Sequence, residues 1–348
     1  MARVSDRPAQ TYHEIELREP VSLCDSRARL RPEAAGWSRQ PLHTLNISGH
    51  ALRKKKWNYW CVTSDRHLFS ATFADLDYLG VAFVYFLDFE TKRFIEETVL
   101  VPVPRGRRLP DSVRGDIMFH GRRLSLSFLE DADATRIRVE SPSFGGARLS
   151  ADLRVLRPPE HETLNVVIPW SRERFHFTSK QLCLPASGSV TLGSDRIEFP
   201  EGGSFGCLDF GRGVWRYSTF WNWGAFSSVQ GGRTVGINAG GAWTDGTGLN
   251  ENAIWVNGRL SKLHEDLAFE YDRADLMKPW AVRTPSSERL DLRFVPFFKR
   301  AAKTDLLLLK SEVQQVIGRY SGTMVPDSGE PIAVDGAVGW VEQHSARW

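Results

Sequence analysis

Apolar and polar residues alternate with a period of two through most of the chain, the mark of strands with one wet face. Leu124, Leu126 and Phe128 alternate with Ser125 and Ser127, and Ile137 and Val139 alternate with arginines. Leu149, Ala151, Leu153 and Val155 alternate with Arg148, Ser150, Asp152 and Arg154. Residues 68–74 read as another strand. Residues 81–87 (VAFVYFL) are apolar on both faces and belong inside a sheet. Asp75 to Gly80, between those two, carries turn residues at both ends. The strongest local signal is Asn257-Gly258 between 253–256 and 259–263, because a two-residue type I′ hairpin needs φ > 0 at both turn positions. Late strands are expected at 290–295 and 305–317. The four leucines at 306–309 also fit a helix but lack caps, and their β-rich surroundings favour strand.

Such runs recur about every dozen residues, which argues for antiparallel hairpins in a sandwich or barrel. No amphipathic helix longer than three turns is expected. Pro185 and Gly188 interrupt the pattern near the midpoint, so 182–188 reads as a linker. The expected organisation is therefore an arm or irregular strand set at 1–50, a first β domain at 51–185 and a second at 186–348. No sequence repeat relates the two halves.

A chain of 348 residues can bury a sizeable core without covalent staples. With 41% hydrophobic and 25% charged residues it reads as an ordinary soluble protein. The four cysteines, Cys24, Cys61, Cys183 and Cys207, are widely spaced and show no C-x-x-C pair, so they read as reduced, buried thiols. The opening MARVSDRPAQ has no apolar h-region, and no run of about 18 apolar residues occurs, so no transmembrane segment and a cytoplasmic location are expected. A net charge of +3 is too small to call for a polyanion partner. The one basic cluster, Lys54-Lys55-Lys56 before Trp57-Asn58-Tyr59-Trp60, reads as a strand entry with an aromatic anchor, not a nucleic-acid site.

Tryptophan is the outlier. Five of twelve, Trp215, Trp221, Trp223, Trp243 and Trp255, fall between Gly202 and Lys262, interleaved with Asp209, Arg212, Asn222, Asn238, Asp245, Glu251 and Asn252. Each buried indole can contribute about 4–6 kcal/mol as an upper bound. An aromatic wall studded with few polar groups is the chemistry of a small-molecule pocket. A carboxyl group against indoles loses hydration and holds its proton to higher pH, while an ionised neighbour serves as base or cation stabiliser. Asp209, Asp245 and Glu251 are the candidates, with a turn-capping role as the alternative for Asp245. Trp340, Glu342 and His344 alternate along the C-terminal strand and so share a face, which adds a group that titrates near neutrality.

Other motifs carry less. Asp245-x-Thr247-x-Leu249-x-Glu251 places oxygens at alternate positions but lacks the early acids of a calcium loop. His161-Glu162 has no companion at metal-ligand spacing, and no metal is expected. Gly202-Gly203-Ser204-Phe205-Gly206 matches G-x-S-x-G, yet strand-like sequence follows where a nucleophile elbow needs a helix.

The stretches KKWNYWCVTSDRHLFSATFADLDYLGVAFVYFLDF, LNVVIPWSRERFHFTSK, DFGRGVWRYSTFWNWG, GINAGGAWTDGTGLNENAIWVNGRLSKL and GWVEQHSARW resemble the bacterial family catalogued as domain of unknown function 2804. In size and β pattern the chain is also similar to the double lipocalin-like proteins that include carotenoid hydratases and tocopherol cyclases. That resemblance implies an all-β fold of two lipocalin-like halves, and chemistry in which an alkene is protonated and the cation steered by aromatic walls. The expected function is a cofactor-free acid–base enzyme (hydratase, cyclase or isomerase) acting on an apolar or amphiphilic molecule. Asp245 or Glu251 would donate the proton, and Asp209 and His344 would be the base or orienting groups. Trp215, Trp221, Asn222, Trp223, Asn238, Trp243, Asn252, Trp255, Trp340 and Glu342 would line the pocket, drawn mainly from the second half and the C-terminal strand. A glycoside-active enzyme with paired carboxylates and a lipid or isoprenoid carrier are the alternatives.

Overall fold

The computed structural model describes residues 2–3, 10–102, 109–305 and 310–347. Among them the chain builds a thirteen-stranded and a ten-stranded sheet, both antiparallel, plus a short parallel pairing of Val21–Ser22 with His43–Thr44. The first sheet runs, neighbour to neighbour, from Phe94–Pro102 through Leu79–Asp88, His67–Asp75, Lys54–Thr63, Phe205–Val214 and Phe175–Leu192 to Ala147–Leu156, Ala134–Phe144, Ser125–Glu130 and Ile117–His120. The second runs from Ala2–Arg3, Ala268–Tyr271 and Trp280–Arg283 through Leu290–Asp305, Lys310–Met324, Ile332–Arg347 and Ser218–Gln230 to Arg233–Gly241, Ala253–Val256 and Arg259–Lys262. The all-β reading holds, as does the wet-face alternation: Ile137 and Val139 are buried while Arg136 and Arg138 are exposed. Asn257 and Gly258 take φ of 48° and 79° in the expected tight hairpin.

Period-two alternation sorts the buried side chains into three apolar layers. One lies inside the first sheet's curl and is drawn from residues no later than Val214. Another, from Phe226 to Val341, lies inside the second. Between the sheets is a third, aromatic layer fed by both. This arrangement explains why 81–87 is apolar throughout. Ala82, Val84 and Phe86 enter the first curl, whereas Tyr85 and Leu87 enter the layer between the sheets.

The 182–188 stretch is the middle of the strand Phe175–Leu192 and not a linker. Cys183 at φ 59° accompanies a register shift between Gln181 and Leu184, and Gly188 at φ 128° bends the strand where a Cβ would lie 2.2 Å from the Asp152 carbonyl oxygen. The chain crosses to the second sheet at residues 215–217. The run at 306–309 lies outside the described residues; the strand expected across it is seen as Lys310–Met324, paired back onto Leu290–Asp305.

Residues 10–50 tie the two sheets together. Trp37–Ser38 extends the first sheet by pairing with Val166 and Asn165. Glu14 buries its carboxylate beneath the second, 2.6 Å from Lys262 and 2.7 Å from His264. Burial alone would raise the Glu14 pKa, but Lys262, His264 and the Asn250 N–H hold it below the ordinary range. The basic cluster is used internally: Lys54 pairs with Asp77, Lys56 with Asp111, and buried Lys55 donates to the Leu76 carbonyl. All four cysteines are free and buried. No helix among the described residues is long and apolar enough to cross a membrane.

Candidate functional site

The strand Phe175–Leu192 turns His176, Thr178 and Lys180 toward the layer between the sheets, since i, i+2 and i+4 share a face. Its neighbour places Asp209 directly opposite Lys180, with the ammonium 2.8 Å from the carboxylate. The loop after Arg233–Gly241 brings Glu251 to the same ammonium at 3.1 Å, and Trp243 donates its indole N–H to the other Glu251 oxygen at 3.0 Å. One cation thus serves two carboxylates, Glu251 fully buried and Asp209 partly so. Burial pushes the Glu251 pKa up and Asp209 adds to it, with Lys180 opposing. Burial disfavours the Lys180 charge, but the two carboxylates outweigh it and hold the ammonium above its usual pKa. The Trp223 ring centre lies 4.7 Å from the same nitrogen.

His176 is fully buried and stacked on Trp57 with ring centres 4.6 Å apart. Trp215 donates to its Nδ1 at 2.9 Å, so the ring proton sits on Nε2, which has no protein acceptor. Burial, then Lys180 and Arg212, keep this imidazole neutral well below its usual pKa. Gly211 makes the stack possible: a Cβ there would lie 2.3 Å from Trp57 and 2.7 Å from His176. Trp215 also stacks on Trp243 at 5.5 Å and meets Trp221 at 5.6 Å.

The second sheet supplies the facing wall. Trp221 donates to Glu342 at 3.0 Å, His344 Nδ1 lies 3.5 Å from the same carboxylate, and its Nε2 is 2.8 Å from the Ser311 hydroxyl. Arg300 forks onto Glu96, and Tyr59, Tyr85 and Gln315 form a hydrogen-bonded chain with steps of 2.7 and 2.8 Å. Most of these groups line a cavity of about 260 Å³ whose wall is mainly apolar and carries five tryptophans.

Of the residues expected at a pocket, Asp209, Glu251, His344, Trp215, Trp221, Trp223, Trp243 and Glu342 line this cavity. Asp245 does not. It is half-buried in its turn and accepts the Ala242 N–H at 3.0 Å, the capping role. Asn222 sits on the opposite face of its strand and donates to Tyr271 and to the Glu342 carbonyl. Asn238 lies behind the wall, accepting from Trp223 and donating to the Glu251 carbonyl. Asn252 braces the same loop through Gly240 and Glu265. Trp255 is core, donating to the Glu162 carbonyl, and Trp340 packs edge-on to Trp223 at 5.3 Å, beneath the wall. The cavity draws on both sheets instead of mainly on the second half. Lys180, His176, Trp57, Tyr59 and Arg300 were not anticipated. His176, Thr178 and Lys180, polar residues alternating inside a buried strand, were the available signal.

The remaining motifs take structural roles. Asp245 and Glu251 diverge, Thr247 donates to the Thr244 carbonyl, and no group of three or more His, Cys, Asp or Glu among the described residues could hold a metal. His161 binds the Leu182 carbonyl while Glu162 pairs with Arg39 and Arg259. Ser204 is buried ahead of a strand, not a helix.

Near Asp245, Tyr12 donates to Asp266 at 2.8 Å. Burial pushes the Asp266 pKa up to about 6, with the Tyr12 bond opposing and Asp245 adding to the rise. A carboxyl whose pKa rises on folding binds more protons folded than unfolded, so its contribution falls as pH climbs from about 4 to 6. Asp266→Asn is therefore expected to raise the melting temperature by a few degrees at pH 7 and leave it unchanged near pH 4, read by scanning fluorimetry across pH.

Residues 14–348 match the family described as Domain of unknown function (DUF2804). The chain belongs to this family. No curated protein matches it. Among solved structures, this DUF2804 chain is similar to CghA crystallised with Sch210972, at 14% identity and TM-score 0.53 over 84% of this chain and 88% of that one. A second CghA structure matches at 12% identity and TM-score 0.53 over 97% of both chains. A putative AttH from Nitrosomonas europaea matches at 12% identity and TM-score 0.50 over 84% and 92%. At such identities the likeness establishes the double lipocalin-like fold, and function has to be argued from the site.

Proposed function

We propose that this DUF2804 chain is a cofactor-independent acid–base enzyme, of lyase or isomerase type, acting on an apolar small molecule held between its sheets. One observation carries the reading. Glu251 is buried in the aromatic wall, one of its oxygens lies 3.1 Å from Lys180 without an aligned hydrogen bond, and it shares that ammonium with Asp209. Two carboxylates competing for one cation leave one of them poised to hold a proton, and burial favours Glu251. Glu251 would pass that proton to an electron-rich carbon. The carboxylate left behind would be stabilised by Lys180, and the cation formed would face Trp215, Trp223 and Trp243. Glu342 and His344 on the facing wall would take up the proton released from the neighbouring carbon or from water. The Nε2–H of His176 selects a ligand with an oxygen acceptor. The CghA structure with Sch210972 supports a ligand-binding role for the fold.

The ion pairing that makes Glu251 a donor also suits a carrier, which remains the second reading. The glycoside reading is less well supported, because Lys180 ties Asp209 and Glu251 together as ion-pair partners. Native mass spectrometry of protein purified from its own host separates the glycoside reading from the other two. A retained apolar, oxygen-bearing molecule supports a ligand between the sheets, whereas a retained sugar or an empty protein contradicts it.

A further inference from the structure

A second cavity, of about 320 Å³, is enclosed by the arm at Gln40 and His43, by Ser112 and Arg114, and by the segment from Arg157 to Thr163. It shares no wall residue with the aromatic cavity. Two arginines and two histidines line it, and among the described residues no carboxylate does.

Arg157 sets its character. The side chain is 7% exposed, its Nη1 meets Glu130, and its guanidinium carbon lies 5.6 Å from the centre of the Trp60 ring. Its Nε and Nη2 have no partner. Those two N–H groups lie on one edge of the guanidinium and point in parallel, the fork that takes two oxygens of one oxyanion. Arg300 shows that edge in use, since its Nε and Nη2 both donate to Glu96. Arg212, also fully buried, donates to the carbonyls of Pro110, Trp57 and Gly211 and to the Asn58 side chain. Arg212 and Arg300 thus have these donors satisfied by the protein, and Arg157 does not. Buried charged donors without an acceptor are costly, and supplying one from solution removes the cost.

His43 narrows the ligand. Its Nε2 lies 3.0 Å from the Ala34 carbonyl oxygen and so carries the ring proton, which leaves Nδ1 as a buried lone pair without a partner. A carboxylate offers nothing to that atom. Free hydrogen phosphate has two oxygens for the Arg157 fork, a third for Arg114 and a P–OH to donate to His43, and a monoester keeps the two oxygens for the fork and the P–OH.

We propose that this cavity is a binding site for a phosphate group, either free phosphate or a phosphomonoester, held by Arg157 and Arg114. The test is calorimetric titration of the full-length chain with inorganic phosphate, and separately with acetate, at constant ionic strength set by chloride. Glycerol phosphate run beside inorganic phosphate distinguishes a monoester from the free ion by which binds more tightly. Saturable phosphate binding is expected, with acetate at least roughly tenfold weaker. Arg157→Lys, which loses the fork but keeps the charge, should weaken phosphate about tenfold or more. Arg114 is exposed, so Arg114→Gln leaves the fold intact and should still weaken binding several-fold. Absence of phosphate binding, equal affinity for acetate, or unchanged affinity in Arg114→Gln would each overturn the proposal.

Discussion

Replacing Lys180 by methionine is expected to lower the unfolding free energy by about 3–5 kcal/mol at pH 7, the usual cost of removing one partner from a buried ion pair. The side chains have similar reach, so the loss is electrostatic, not steric. Asp209 and Glu251 would then face each other with no counter-ion, and Glu251, already pushed up by burial, would hold its proton to still higher pH. The deficit should therefore shrink as pH falls from the raised folded value of Glu251 toward the unfolded carboxyl range near 4, and be lost below it. Urea unfolding at several pH values reads this directly. A pH-independent loss would mean that Lys180 acts through packing alone. The double variant Lys180→Met/Glu251→Gln should recover part of the stability, because it removes the buried carboxylate and leaves only the partly exposed Asp209 without a counter-ion.

Glu251→Gln is expected to separate chemistry from stability. Glutamine keeps an acceptor for the Trp243 indole, and Lys180 retains Asp209, so the unfolding free energy should change by no more than about 1.5 kcal/mol. Turnover of the ligand recovered from the native protein should fall by about 10²–10⁴-fold, the usual contribution of a positioned general acid. Asp245→Asn, at the half-buried turn, is the matched control and should retain full turnover. Equal losses in the two variants would remove Glu251 from its proposed role.

How much of this site could be read from sequence follows from what local pattern encodes. Period-two alternation reveals that Trp221 and Trp223 share a face, as do Trp340, Glu342 and His344, and it sets Asn222 on the other side from its tryptophan neighbours. It does not say which strands meet. Lys180 meets Asp209 through the register of two strands that are distant in sequence, and it meets Glu251 through a loop of the other sheet. No local signal carries either contact. Spacing equally could not tell that Glu251 turns inward while Asp245 caps its own turn. The Pro185 and Gly188 punctuation was visible, but a bend inside a strand and a break between domains use the same residues. The all-β class needed only alternation and turn chemistry, both local, and so was legible throughout.

Deuterium transfer tests the central claim most directly. The ligand recovered from the native protein, incubated with the enzyme in D₂O, should gain deuterium at carbon with the wild type and none with Glu251→Gln. A ligand that returns unlabelled and unchanged from the wild type would make the space between the sheets a carrier's cavity and leave Glu251 a structural partner of Lys180.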